Sequence, residues 1–261
     1  MIPWQERLLI TDPWFYAVAI PAVLLFGISK GGFGGGLGTA AVPLMALVIS
    51  PVQAAAILLP ILCVMDIVAL WKFRGKWLWP ELRILLPASL LGILVGTLLF
   101  EYMSASVVRL IVGIVAIAFT VHFWINKQRA NSVTLPDYPR SYGIYGGSVA
   151  GFTSFVAHSG GPPISMYLLR RPLDRTDFAA TSVVFFAVVN YVKLIPYAWL
   201  EQFDTANLAT SAALVILAPV GVLIGAWLHA RVSDRVFFAF VYVLLFAVGI
   251  KLVYDGVSGL I

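Results

Sequence analysis

The sequence predicts an all-α integral membrane protein of two repeats in inverted orientation, each with a broken or re-entrant hairpin plus three full transmembrane helices. Three observations predict it. Of 261 residues, 61% are hydrophobic and only 11% charged, against about 45–50% and about 25% in soluble domains. Apolar runs recur at 52–71, 84–100, 107–125, 178–194, 208–228 and 237–253, each near the roughly 20 residues that a helix needs to cross a bilayer. Two further apolar stretches are interrupted, at matching positions of the two halves, by Gly27-Ile28-Ser29-Lys30-Gly31-Gly32-Phe33-Gly34-Gly35-Gly36-Leu37-Gly38 and by Gly151-Phe152-Thr153-Ser154-Phe155-Val156-Ala157-His158-Ser159-Gly160-Gly161-Pro162-Pro163. Paired breaks in a duplicated membrane chain point to a transporter's substrate site.

The elements follow in order. The first, 13–28, has the apolar core of a signal peptide, but its one nearby cation, Arg7, lies between Glu6 and Asp12 and no A-x-A site follows, so it reads as a retained helix. The second, 37–48, starts inside the glycine run and is too short to cross. Three spans complete the half at 52–73, 81–100 and 104–125. A linker, 126–139, leads to a second half that repeats the series at 140–156, 162–169, 176–199, 205–229 and 234–254. The repeats are thus 1–125 and 140–261. An offset of about 125 to 129 residues brings Gly27 to Gly151, Gly36 to Gly160, Ala54 to Ala179, and Gly92 and Gly96 to Gly221 and Gly225. These last two pairs, each G-x-x-x-G, suit close helix packing better than a substrate path. The lengths and spacing exclude an outer-membrane barrel, whose strands would be about 10 residues of alternating polarity.

Loop charges set the orientation. If the first two elements of each half form a hairpin that returns to its starting side, Lys72, Arg74, Lys76, Arg83, Lys127, Arg129, Arg140, Arg170, Arg171, Arg175, Arg231 and Arg235 all face the cytoplasm. Glu101, Glu201 and Asp204 then fall outside. Four simple crossings per half would put Arg170, Arg171, Arg175, Arg231 and Arg235 outside, so the positive-inside rule favours inverted repeats, a cytoplasmic linker and external termini. The same rule accounts for the net charge of +5 better than nucleic-acid binding does.

Non-helical backbone is tolerated at membrane depth only when buried in protein or lining a water-filled cavity, so the two breaks should meet near the midplane. A helix starting within Gly35–Thr39 and another at Pro162 and Pro163 would aim free N–H groups and positive dipole ends there. Such ends bind oxyanions. The candidate substrate-binding set is Ser29, Lys30, Gly34, Gly35, Gly36, Gly38 and Thr39 from the first break, with Thr153, Ser154, His158, Ser159, Gly160 and Gly161 from the second. Lys30 serves there as an anion's cation, or snorkels to an interface; His158 is a ligand or proton carrier, or a hydrogen-bonded tip residue. Asp66 and Lys193 are charges deep in spans and hence coupling candidates. Asp66 either takes up protons or neutralises Lys30 or Lys193. No nucleotide loop and no metal pattern is present: the glycine run has no G-x-G-x-x-G or Walker register, and three histidines with Cys63 are scattered. No cofactor and no enzymatic activity is expected.

At these residues the chain resembles the sulfite exporter TauE/SafE family of bacterial inner-membrane proteins, also called TSUP. The matching features are 27–43 leading into Ser50-Pro51-Val52-Gln53-Ala54, the stretch 151–163, and the duplication. The resemblance covers nearly the whole chain. It implies a multi-pass transporter of small sulfur-containing or carboxylate anions, such as sulfite, sulfoacetate or sulfolactate, across the bacterial inner membrane. Members are usually described with more spans than the six full ones read here, which leaves open how deeply the hairpins cross. The partners expected are therefore a small anion, the lipid bilayer and protons as the candidate coupling ion. A passive anion channel is the nearest rival, and carboxylate and sulfur anions remain alternative substrates.

Orientation is testable by thiol labelling from outside intact cells. Lys76→Cys, Arg129→Cys, Arg171→Cys and Arg235→Cys should all be shielded from an impermeant reagent, and Glu201→Cys labelled. Labelling of Arg171→Cys and Arg235→Cys with Lys76→Cys protected would show parallel repeats.

Overall fold

A computed structural model describes residues 9–32, 36–100, 102–129, 139–168, 170–171, 173–229, 231 and 234–260. Gly34 and Gly35, both expected at the first break, lie outside the described residues. Among the described residues all regular elements are helical: α1 (Pro13–Gly32), a 3₁₀ turn (Gly36–Ala40), α2 (Ala41–Met45), α3 (Pro51–Lys72), α4 (Trp79–Phe100), α5 (Ala105–Arg129), α6 (Arg140–Ala157), α7 (Gly161–Leu168), α8 (Arg175–Trp199), α9 (Thr205–Leu214), α10 (Leu217–His229) and α11 (Asp234–Ser258). Local chemistry sets several starts. The Ser50 hydroxyl accepts from Gln53 N at 3.1 Å with Pro51 at the first helical position, and Asp174 and Asp204 cap α8 and α9 by accepting from Asp177 N and Asn207 N, each at 2.7 Å. Each satisfies an N–H that the helix itself leaves without a partner.

Two elements differ from expectation. The segment read as a helix over 37–48 is instead the 3₁₀ turn followed by five residues of α2. The span read at 205–229 is two helices, bent by 43° at Val215 and Ile216. Pro219 explains the bend, because it has no N–H to give to the Val215 carbonyl and its ring crowds that oxygen. Among the described residues, α1, α3, α4, 105–122 of α5 and 176–199 of α8 are each long and apolar enough to cross a membrane, and α9 with α10 qualifies as one bent span. The chain is a multi-pass membrane protein. α1, expected as one arm of a hairpin, is itself long enough to cross.

Contacts fix the relative directions of these helices. α3 and α8 run oppositely: Asn190 meets Asp66, while the N–H of Leu78, beyond the end of α3, reaches Thr181 near the start of α8. α5 and α11 also run oppositely, with Gly113 facing Gly249, Leu110 facing Gly256 and Ser106 facing Gly259. α4 and α6 run together, Leu85 against Gly147, Ser89 against Gly151 and Gly96 against Phe155; α1 and α10 do the same, Gly27 against Gly221 and Ile28 against Gly225. It follows that α1 and α3 point the same way, so the 3₁₀ turn and α2 return the chain to the side from which α1 set out. α7 does the same between α6 and α8.

These directions sort helix ends into two sets, each with exposed aromatic side chains. Trp71, Trp79, Tyr142, Tyr145 and Trp227 belong to one, and Trp14, Tyr102, Trp199 and Tyr254 to the other. Two such belts are what a bilayer's two interfaces select. Lys72, Arg74, Lys76, Arg140, Arg170, Arg171 and Arg231 all share the first set's side.

Small residues let the paired helices touch backbone to backbone, as they do in membranes generally. A Cβ on Gly151 would lie 2.1 Å from the Ser89 carbonyl oxygen, one on Gly225 2.2 Å from that of Ile28, and one on Gly92 2.0 Å from that of Ser148. Gly151→Val should therefore lower the melting temperature of the detergent-purified protein, since overpacking of this kind costs about 1–3 kcal/mol or more. Gly75→Asn, at a loop position with φ of 75° and open space around it, should leave the temperature unchanged. Equal temperatures for wild type and Gly151→Val would show that α4 and α6 do not pack this closely.

Candidate functional site

α6 ends where His158 takes a left-handed conformation (φ 51°) and its N–H returns to the Ser154 carbonyl, 3.0 Å away. Ser159 N donates to Thr153 O at 3.1 Å. The Thr153 hydroxyl donates to the carbonyls of Val149 (2.8 Å) and Ser159 (3.1 Å), and the Ser159 hydroxyl to that of Ala157 (3.0 Å). These hydroxyls hold the turn together and have their protons committed to backbone. A Cβ on Gly160 would lie 2.7 Å from Ala150 O, so its bare Cα is needed for the turn to fold back on α6. At the first break, the Ser29 hydroxyl accepts from Gly38 N at 3.0 Å, and a Cβ on Gly38 would enter the Phe26 ring. The end of α1 is closed by Lys72 Nζ donating to Gly31 O at 3.3 Å.

The two breaks meet through buried charge. Lys30, in the last turn of α1, forms a salt bridge with Asp66 of α3 and donates to Leu62 O at 3.3 Å. Asn190 Nδ2 donates to the other Asp66 oxygen at 2.7 Å. On the second side, Lys193 Nζ donates to Ser154 O (2.9 Å), Ser154 Oγ (3.0 Å) and His158 Nδ1 (2.7 Å), while His158 Nε2 lies 2.9 Å from Ala55 O. A carbonyl only accepts, so Nε2 carries the imidazole proton and Nδ1 is the acceptor for a Lys193 N–H. Lys30, Asp66, Asn190, His158 and Lys193 are all at most 4% exposed. Ionised groups this deep persist only when paired and fully hydrogen-bonded; removing one member of such a pair costs about 3–5 kcal/mol because a lone charge is left behind.

Between the two clusters lies a cavity of about 10 Å³, lined by Phe26, Lys30, Ser154, His158, Phe186 and Asn190. That is room for about one water molecule. Three donors border it with capacity left. Lys30 uses two of its three N–H groups in the bonds above, Asn190 one of its two amide hydrogens, and the Ser154 hydroxyl accepts from Lys193 while keeping its own proton. Phe26 and Phe186 supply apolar walls. On one side Tyr197 closes the site: its ring stacks on His158 at 6.3 Å and its hydroxyl donates to Phe155 O at 2.6 Å. Phe155 packs in turn on Phe100, which borders a surface depression of about 500 Å³ with Trp199, Leu200 and Glu201.

The structure thus brings together Lys30, Ser154, His158, Asp66 and Lys193. Ser29, Gly38, Thr153, Ser159 and Gly160 shape the breaks. Thr39 is buried, Gly36 opens the 3₁₀ turn and Gly161 opens α7; none of these three lines the cavity. Sequence reasoning missed Phe26, Phe186 and Asn190 as site residues. For Asn190 the signal was present, since the repeat offset sets it opposite Asp66.

A model of the family described as Sulfite exporter TauE/SafE matches residues 19–252, which takes in both breaks and every residue around the cavity. No curated protein and no solved structure gives a significant match.

Proposed function

The chain belongs to the sulfite exporter TauE/SafE family, which makes it a membrane transporter of anions and not an enzyme, and on that premise we propose how it works. It is a secondary transporter that carries sulfite or a small organosulfonate across the bacterial inner membrane by alternating access, binding the anion near the midplane between the two broken hairpins. The halves are inverted repeats with the arginine- and lysine-rich side in the cytoplasm. Opposed running of α3 against α8 and of α5 against α11, which are equivalent spans of the two halves, supports this reading, as does the gathering of loop cations on one side.

The observation that carries the proposal is the cavity between the breaks. Lys30, Asn190 and Ser154 each turn a donor with spare capacity toward it, and an oxyanion with three oxygens can engage all three. Charge-assisted hydrogen bonds are worth about 1.5–3 kcal/mol each, enough to hold a partly desolvated anion. The cavity is too small for one at present, so the anion enters by moving Phe26, Phe186 or the hairpins. Such occlusion suits alternating access better than an open channel. Asp66 is the coupling group: taking up a proton would loosen its hold on Lys30, freeing that lysine for substrate.

Counterflow in proteoliposomes tests this. Labelled sulfite should exchange against internal sulfite with saturation and accumulate under an inward proton gradient. Asp66→Asn should keep exchange and lose the response to the gradient. Unsaturable current would establish a channel. Exchange of small carboxylates with none of sulfite or sulfonates would move the substrate to the alternative class.

A further inference from the structure

One face of α8 carries more than the anion site. At 3.6 residues per turn, Ser182, Phe186, Asn190, Lys193 and Tyr197 fall within an arc of about 80°. All five are buried, whereas Val188, Tyr191, Ile195 and Trp199 on the opposite face are exposed. Phe186 and Asn190 line the cavity, and Tyr197 closes it toward one end of the helix. Ser182 lies the other way, two helical turns or about 12 Å along the axis from Asn190, toward the end that starts at Arg175. Its hydroxyl is an exception among the buried ones. Thr97, Thr120, Thr153, Thr210 and Ser211 each donate to the carbonyl four residues earlier in their helix, a common partner for a hydroxyl within a helix. Ser182 Oγ does not bond that carbonyl, and no other group among the described residues bonds it. An unpartnered buried hydroxyl costs stability. Its place on the inward face, in line with the cavity's donors, points to a transient polar partner.

Resting on the reading of the cavity as the anion site, we propose that Ser182 is a second contact for the transported oxyanion, on the side of the basic loops, and that Phe186 divides it from the first. Phe186 stands between Ser182 and Asn190 in helix order and walls the cavity. Its Cε1 lies 3.1 Å from where a Cβ on Gly160 would be, so the ring rests against bare backbone at the second break, just before α7. A shift of that hairpin removes the ring's support and lets the anion pass to Ser182. One neutral hydroxyl holds an oxyanion less firmly than Lys30, Ser154 and Asn190 do together. Ser182 therefore receives the ion without trapping it, and passage requires sites weak enough to leave.

Wild type and Ser182→Ala are compared by calorimetric sulfite affinity, by melting temperature in detergent and by maximal sulfite exchange in proteoliposomes. Ser182→Ala should exchange about tenfold more slowly, the factor that one hydrogen bond to an ion supplies, with sulfite affinity unchanged. Its melting temperature should equal or exceed that of wild type, because an unpartnered hydroxyl has gone. Ser154→Ala, by contrast, should weaken affinity itself. Phe186→Ala, which removes the divider, should leak preloaded sulfite into sulfite-free buffer faster than wild type. Exchange as fast in Ser182→Ala as in wild type, or no faster leak from Phe186→Ala, would overturn the inference and leave the anion site standing. Slower exchange together with a lowered melting temperature would overturn it too, since that marks a packing role for Ser182. Lack of sulfite binding by wild type would remove the anion site itself and the inference with it.

Discussion

The Lys30–Asp66 ion pair is the interaction around which the rest of the structure is arranged. An ammonium group on the last turn of α1 is cut off from water by its burial, and its nearest carboxylate lies on α3. Neither can be left alone in a low-dielectric interior, so α1 must end where it does and α3 must pass beside it. The negative end of the α1 dipole adds to the stabilisation of Lys30. Asn190 satisfies the second carboxylate oxygen from α8, and one polar cluster thereby joins helices of both halves.

Backbone constraints follow from the same placement. α1 and α6 both end among buried residues, so their last carbonyls and the first N–H groups beyond them need partners that water does not supply. Ser29, Thr153, Ser159 and Lys72 provide these, which is why so many hydroxyls occur at the breaks without lining the cavity. Glycines at the helix contacts serve close approach of α1 to α10 and of α4 to α6. The site is therefore made from a few donors left over after the breaks have been secured, and its small volume reflects how completely the surroundings are packed.

Much of this was legible in the sequence. Span positions followed from apolar length, and the two glycine-rich runs marked where α1 and α6 end, because composition is a property of the chain alone. The bend between α9 and α10 was missed although Pro219 is visible in the sequence, since proline is common in membrane helices and only packing decides whether it kinks one. Roles within the breaks were harder to read. Ser154 and Thr153 are adjacent and chemically alike, yet one faces the cavity and the other bonds Val149 and Ser159. That distinction depends on helix phase and on Lys193 arriving from 39 residues away. Lys193 itself could be recognised as costly but not assigned to the His158 side, because its partners come from another helix.

The central claim, that both breaks serve one anion site, is tested most directly by locating a bound anion with a heavy-atom analogue. Selenite can replace sulfite in crystals of the protein, and selenium is located by its anomalous scattering. One site is expected among Lys30 Nζ, Ser154 Oγ and Asn190 Nδ2, with Phe26 or Phe186 displaced to make room. Selenium only at the surface depression beside Glu201, with the Lys30–Asp66 region unchanged at saturating selenite, would contradict it.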